Sequence, residues 1–138
     1  MDYPYVILPG DTLHVPKPHI PAVFSKNGRS TSSILTLVDS GADFSFAPFA
    51  VALHLGIKVD KANPRKIHSF SGDSLLCYPI DIDVTVAEKT VRMPVYFGGS
   101  LTSLFPCILG QDVFFTLTKI TFRRSTYTVS IEWENSIK

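Results

Sequence analysis

The sequence contains few charged residues. Asp, Glu, Lys and Arg make up 18% of its 138 residues, below the roughly 25% that is typical of soluble domains. Thirteen basic and twelve acidic side chains leave a formal net charge of +1 at pH 7. This balance provides no basic surface for nucleic acid or for an anionic membrane. We therefore expect neither partner, and the low charge favours an oligomer that hides further surface.

The sequence also lacks the spacings that metal sites and disulfide scaffolds require. The two cysteines, Cys77 and Cys107, form no CxxC pair, and two cysteines are too few for a disulfide-stapled fold. The four histidines show no metal-ligand spacing. We therefore expect no metal and no cofactor, and we interpret the cysteines as small buried hydrophobic residues.

Long apolar runs are absent as well. No uninterrupted stretch approaches the ~20 apolar residues of a membrane-spanning helix. The first residues, MDYPYVILPGD, have neither the basic segment nor the apolar core of a secretory signal. These features predict a soluble cytoplasmic protein. The length predicts one domain over residues 1–138.

Apolar residues recur at every second position over much of the chain. They alternate with other residues through Ile80–Val86 and again through Val91–Phe97. Two alternating arms joined by a turn near Glu88-Lys89 predict a half-buried antiparallel hairpin. Asp81 and Tyr96 fall on the outer faces of the two arms, so we expect Asp81 to be solvated and not catalytic.

The remaining segments are short and are interrupted by proline and glycine. Asn27-Gly28 predicts a tight turn between two strands. Pro48–Leu55, ended by Gly56, and Asp112–Thr116 are the two segments that look helical. Residues 1–18 are broken by proline and predict an extended arm. The predicted fold is mainly β, a small closed β-barrel with one or two short helices.

One acidic residue lies where an apolar strand should end. The segment Ile34–Val38 predicts a buried strand, and it stops at Asp39-Ser40-Gly41. An acid at this point is held at the edge of the core and is partly desolvated. Asp-Ser-Gly is also favourable turn chemistry, so the tripeptide alone does not separate a catalytic acid from a structural turn.

A second motif follows further along the chain. Ile108-Leu109-Gly110 leads into the second predicted helix, and a glycine there lets two backbones approach closely. Between the two motifs, residues 66–76 predict a hairpin with a polar, glycine-centred tip. In this order, from Ile20 to Ile131, the chain resembles the retropepsin-like aspartic proteases, which are single-lobe relatives of pepsin. The resemblance implies an acid-protease lobe.

The resemblance further implies an aspartic endopeptidase that cleaves peptides or proteins. In such enzymes two carboxylates share one proton and activate a water molecule between them. This chain holds one Asp-Ser-Gly, so the resemblance implies a homodimer in which each copy supplies Asp39. Ser40 would link the two loops through its hydroxyl group, and Gly41 would bring its backbone N–H to the carboxylate.

The resemblance also implies a set of substrate-binding residues. Ala42, Asp43 and Ile108 would line a cleft that holds the substrate as an extended strand. Gly72 would lie at the tip of a flap that closes over the substrate. Phe70 and Leu75, on either side of that tip, would favour apolar side chains around the scissile bond.

The chain departs from the family pattern at Gln111. Retroviral members often have arginine at this position, paired with the acid that aligns with Asp43. The glutamine cannot form that ion pair. A second interpretation therefore stays open, a catalytically silent dimerisation or peptide-binding module with the same fold. The intact Asp39-Ser40-Gly41 favours the enzyme.

Overall fold

A computed structural model describes residues 1–59, 64–68, 74–99 and 106–134. Within these ranges the chain is mainly β, with one short α-helix and one turn of 3-10 helix. The strands, in chain order, are β1 (Asp2–Pro4), β2 (His19–Lys26), β3 (Arg29–Ser30), β4 (Ile34–Val38), β5 (Phe46–Pro48), β6 (Arg65–His68), β7 (Ser74–Val86), β8 (Lys89–Gly98), β9 (Ile108–Leu109), β10 (Thr118–Arg123) and β11 (Thr128–Trp133). The helices are α1 (Phe49–His54) and the 3-10 helix Phe114–Leu117.

Six of the strands form a closed barrel. The sheet runs β2-β4-β9-β5-β8-β7, and an additional pairing of β7 with β2 closes the ring. Closure removes the unpaired edges that an open sheet would leave. Alternate residues of the strands point inward and form the core, for example Ile20, Ala22 and Phe24 on β2 and Ile82 and Val84 on β7. The predicted mainly β, closed-barrel lobe is confirmed.

The long hairpin β7–β8 follows the predicted alternation. Its arms are antiparallel, with Ile82 opposite Met93 in the buried part. The turn at Ala87-Glu88 has positive φ at both residues, which suits the twist of a two-residue hairpin. Tyr96 departs from the prediction, because the side chain on the outer face of β8 is buried and packs against Phe44 and Phe46. The outer face of the hairpin is thus covered at this end.

The helices are as short as predicted. α1 follows Pro48, which has no N–H to leave unpaired, and it ends before Gly56, whose φ is +70°. The second predicted helix, Asp112–Thr116, lies two residues too early and is not α-helical. It is the single 3-10 turn Phe114–Leu117, and Thr118 continues directly into β10.

The arm predicted over residues 1–18 is not extended throughout, because Val6 pairs antiparallel with Lys17 and the segment between them turns back. Its first part joins a second sheet. β1 pairs antiparallel with β11, which also pairs with β10, giving the order β1-β11-β10. Trp133 of β11 connects this sheet to the barrel, since its indole N–H donates to the Val86 carbonyl at 2.9 Å. The ring of Trp133 also packs edge-on against Phe114. The amino-terminal strand is therefore paired within its own chain.

Among the described residues, no helix has the length and apolar character needed to cross a membrane.

Candidate active site

Asp39 lies directly after β4, at the edge of the barrel core. Val38 before it is buried, whereas Asp39 itself is half-buried. The Asp39 N–H donates to the Leu109 carbonyl at 3.0 Å, and the Asp39 carbonyl accepts from Ala42 N–H at 3.2 Å. The Gly41 N–H donates to Asp39 Oδ1 at 2.9 Å. The turn Asp39–Ala42 therefore supplies a backbone donor to the carboxylate that it presents.

The segment after β9 crosses beneath this turn. β9 runs parallel to β4, with Leu109 opposite Val38. Gly110 is required by close approach, since a Cβ at this position would lie 2.2 Å from the Phe44 carbonyl oxygen and 2.7 Å from that of Ala42. The Gly110 N–H donates to the buried Ser45 Oγ at 3.1 Å. The predicted close approach of the two motifs is confirmed.

Three further hydrogen bonds join the two segments. The backbone N–H groups of Gln111 and Asp112 donate to the carbonyls of Ala42 and Asp43, each at 2.8 Å. The Gln111 side-chain amide donates to the Ser40 carbonyl, also at 2.8 Å. Gln111 thus contacts the Asp39 turn itself. Among the described residues, Arg92 and Asp83 form an ion pair, and Asp43 forms none.

A cavity of about 390 Å³ opens between this turn and β6. Its lining residues are Gly41, Ala42, Asp43, Phe44, Phe46, Lys66, Ile67 and His68. Ala42 and Asp43 therefore line a cavity, and their contact with substrate stays a prediction. Ile108 is not among the lining residues of this cavity. It is half-buried and packs against an apolar cluster of Phe46, Cys77 and Tyr96.

A second cavity of about 360 Å³ lies on the Asp39 and Ser40 side of the turn. It is lined by Lys17, Pro18, Leu37, Val38, Asp39, Ser40 and Phe122. Phe122 comes from β10 and is 39% exposed. No motif in the sequence places Phe122 or the end of the arm beside the acid, because the strand pattern does not show which elements meet in space.

The predicted flap residues Phe70 and Gly72 lie outside the described residues. The described part of the hairpin pairs β6 with β7, with Ile67 opposite Leu75. Since opposite residues of an antiparallel pair point to the same face, Leu75, which is 39% exposed, lies on the same face as the cavity-lining Ile67.

The two cysteines, Cys77 and Cys107, are not activated for chemistry. Both cysteines are free and buried, and burial raises the pKa of the Cys107 thiol to about 11 and raises that of Cys77. Neither thiol is therefore an activated nucleophile. Among the described residues, no group of three His, Cys, Asp or Glu could hold a metal ion.

No protein-family model matches the chain, and no curated protein matches it. Solved structures do match. The structure of a retropepsin-like aspartic protease from Rickettsia conorii covers 96% of this chain and 91% of its own, with 16% identity and a TM-score of 0.66. The EIAV protease, complexed with the inhibitor HBY-793, covers 81% and 94%, with 16% identity and a TM-score of 0.57. The chain therefore has the retropepsin-like fold that its motifs predicted.

Proposed function

We propose that this chain is an aspartic endopeptidase that acts as a homodimer. The observation that carries the proposal is the turn Asp39–Ala42. Asp39 lines one cavity and receives a backbone donor from Gly41, and Gly41 and Ala42 line a second cavity on the other side of the turn. The retropepsin-like fold around that turn supports the same assignment. An asparagine could form the same turn through its side-chain oxygen, so the turn does not by itself require the acid.

The proposed chemistry uses one Asp39 from each of two copies. Two carboxylates at hydrogen-bond distance cannot both ionise, so the pair holds one proton. The ionised member takes a proton from the attacking water, and the protonated member polarises the peptide carbonyl. The resulting tetrahedral intermediate collapses when the leaving nitrogen is protonated. Since a chain has one Asp-Ser-Gly, a twofold axis must pass between the two turns.

We place the second copy over the cavity lined by Phe122, Asp39 and Ser40. This surface contains the residues that must approach the axis, and Phe122, Pro18 and Leu37 give it an apolar part. β10 is an edge strand of the sheet β1-β11-β10. Because β1 already pairs with β11 of its own chain, the proposed interface needs no exchange of amino-terminal strands.

We place the substrate as an extended peptide in the other cavity, between the Asp39 turn and β6. Ala42 and Asp43 form one wall, and Ile67 lies on the other. Together with Leu75 on the same face of the hairpin, Ile67 favours apolar side chains near the scissile bond. Phe70 and Gly72 retain their expected part in the flap.

Replacement of Asp39 by asparagine tests the chemistry. The amide can neither share the proton nor activate water, so cleavage of a peptide library should fall at least about a hundredfold, and pepstatin should inhibit the wild-type protein. Asp81→Asn, at an exposed position of β7, is the matched control and should cleave normally. A folded Asp39→Asn variant that still cleaves at wild-type rates would contradict the assignment. A wild-type dimer that binds peptides without cleaving them would instead identify the silent module.

Dilution tests the shared site. Activity per chain should fall when the protein is diluted below the dimer dissociation constant. Sedimentation should show the dimer at protein concentrations above it. Phe122→Asp puts a charge on the proposed interface and should weaken the dimer at least about tenfold, since burying an unpaired charge is costly. Leu53→Asp is the control, because Leu53 is 66% exposed and does not line this cavity. A monomer that turns over substrate would exclude the shared site.

A further inference from the structure

We infer that Gln111 is a positioning residue for the Asp39 carboxylate. The inference rests on the proposed function and deepens it. Gln111 donates its side-chain amide to the Ser40 carbonyl at 2.8 Å. The N–H of the same peptide unit, that of Gly41, donates to Asp39 Oδ1 at 2.9 Å. One peptide group is therefore held at both ends, by Gln111 on one side and by the proposed catalytic carboxylate on the other.

The conformation of this peptide unit is not fixed by the turn alone. Residues 39–42 form a β-turn closed by the hydrogen bond from Ala42 N–H to the Asp39 carbonyl, and the Ser40–Gly41 peptide is its central unit. Type I and type II turns differ by a flip of this central peptide, and type II needs a positive φ at the third residue. Gly41 does not have a positive φ, but as a glycine it can adopt one without steric cost.

A flip would reverse both ends of the peptide group. The Gly41 N–H would turn away from Asp39 Oδ1, and the Ser40 carbonyl would leave Gln111. The glutamine donor therefore favours the arrangement in which the carboxylate receives a hydrogen bond. That bond fixes the orientation of the carboxylate, which activates water in the proposed chemistry.

Gln111 is well placed for this role because its own backbone is anchored to the turn. Its N–H donates to the Ala42 carbonyl at 2.8 Å. The side chain is exposed and is not part of the apolar clusters. Its removal should change the position of one peptide unit without leaving a cavity in the core.

Two substitutions separate positioning from a merely structural role. Gln111→Met keeps the length of the side chain and removes the donor. Gln111→Glu keeps the shape and makes the donor depend on pH, since only the protonated carboxyl group can donate to the Ser40 carbonyl. Lys26→Met is the control, because it removes another side-chain donor to a backbone carbonyl, that of Asp81 at 2.9 Å, from a half-buried position.

The first measurement is kcat and KM against pH on one peptide that the wild-type protein cleaves. Gln111→Met should lower kcat about threefold to tenfold, the loss expected for one hydrogen bond, with KM within about twofold. Gln111→Glu should approach wild-type kcat below about pH 4.3, the usual pKa of glutamate, and fall below Gln111→Met above it. Lys26→Met should behave as wild type.

The second measurement does not require activity. Labelling serine carbonyl carbon and glycine nitrogen selects the two Ser-Gly pairs of the sequence, at Gly41 and Gly72, and Asp39→Asn identifies the Gly41 amide. This resonance should move in Gln111→Met, and in Gln111→Glu it should return towards the wild-type position as pH falls. An unchanged Gly41 amide in Gln111→Met, or a loss of kcat that Gln111→Glu does not reverse at low pH, would overturn the inference. If the wild-type protein does not cleave peptides, the proposed function is refuted and this inference is not. The Gly41 amide resonance still tests the role of Gln111 in that case.

Discussion

The cavity between the Asp39 turn and β6 has two walls, and they are built in opposite ways. On one wall, the turn Asp39–Ala42 and the residues that follow it are joined to the segment Leu109–Asp112 by five hydrogen bonds from backbone N–H or side-chain amide groups. On the other wall, β6 pairs only with β7 among the described strands. Of its residues only Ile67 is half-buried, and the rest are exposed.

This difference assigns separate tasks to the two walls. Proposed catalysis needs a carboxylate held in one geometry, and a densely bonded wall meets that need because its conformation costs nothing to organise at the moment of reaction. Substrate entry needs a wall that can move, and segments with few buried contacts open at the lowest free energy. We therefore expect changes in the first wall to affect folding and changes in the second to affect binding.

Gly110→Ala should give the largest effect. Its Cβ would lie 2.2 Å from the Phe44 carbonyl oxygen and 2.7 Å from the Ala42 carbonyl oxygen. Both are backbone atoms, which cannot move aside as the end of a flexible side chain can. We expect the protein to lose at least about 3 kcal/mol of stability or to fail to fold, as measured by urea denaturation. Gly28→Ala is the control, since Gly28 has a φ of +81° and no atom within 4 Å of its Cβ. It should cost only about 1–2 kcal/mol. Similar losses in both would remove the argument from close approach.

Ser45→Ala should have an intermediate effect. The substitution leaves the buried Gly110 N–H without its acceptor, Ser45 Oγ, which costs about 1–3 kcal/mol. Ser74→Ala makes the same chemical change on the second wall, at an exposed position of β7, and should stay within about 0.5 kcal/mol of wild type. Equal denaturation midpoints for the two variants would show that the walls do not differ as described.

The local features of the first wall could be predicted from the sequence. An apolar run that stops at Asp39 indicates an acid at a strand end, and Gly110 after Ile108-Leu109 indicates a close crossing, since both signals are contiguous in the chain. The alternation of β7 and β8 likewise predicts their pairing. A period of two assigns each residue to a face, however, and does not show what covers that face.

The features that were missed are those that depend on tertiary packing. Tyr96 lies on an outer face and is nevertheless buried, because Phe44 and Phe46 cover it. Phe122 belongs to β10 of the second sheet, and only tertiary packing brings it to the cavity that Asp39 lines. The sequence indicates only the loss of an ion pair at Gln111, whereas the structure shows its side-chain amide donating to the Ser40 carbonyl.

His19 gives the smallest expected effect, and it extends the comparison to pH. This histidine lies opposite Leu37 of β4, the strand that leads into the first wall, and is only 8% exposed. Its Nδ1 is buried and has no hydrogen-bond partner among the described residues. Burial lowers the pKa of His19 below its usual value, and the charge of Lys17 adds to this, whereas the Lys17 carbonyl and the Asp11 carboxylate act in the opposite direction.

The sign of the pH dependence follows from that shift. Because the pKa is lower in the folded state, its contribution to stability is fully present above the unfolded value of about 6.5 and is lost as pH falls towards the folded value, since the unfolded chain binds the proton first. Urea midpoints at pH 7.5 and 5.5 should therefore differ less for His19→Leu than for wild type. His68→Leu, at an exposed position of β6 on the second wall, should keep the wild-type difference. If the His19→Leu midpoints fall as steeply with pH as those of wild type, another group carries the pH dependence. His19, opposite Leu37 of β4, then does not distinguish the first wall from the second wall.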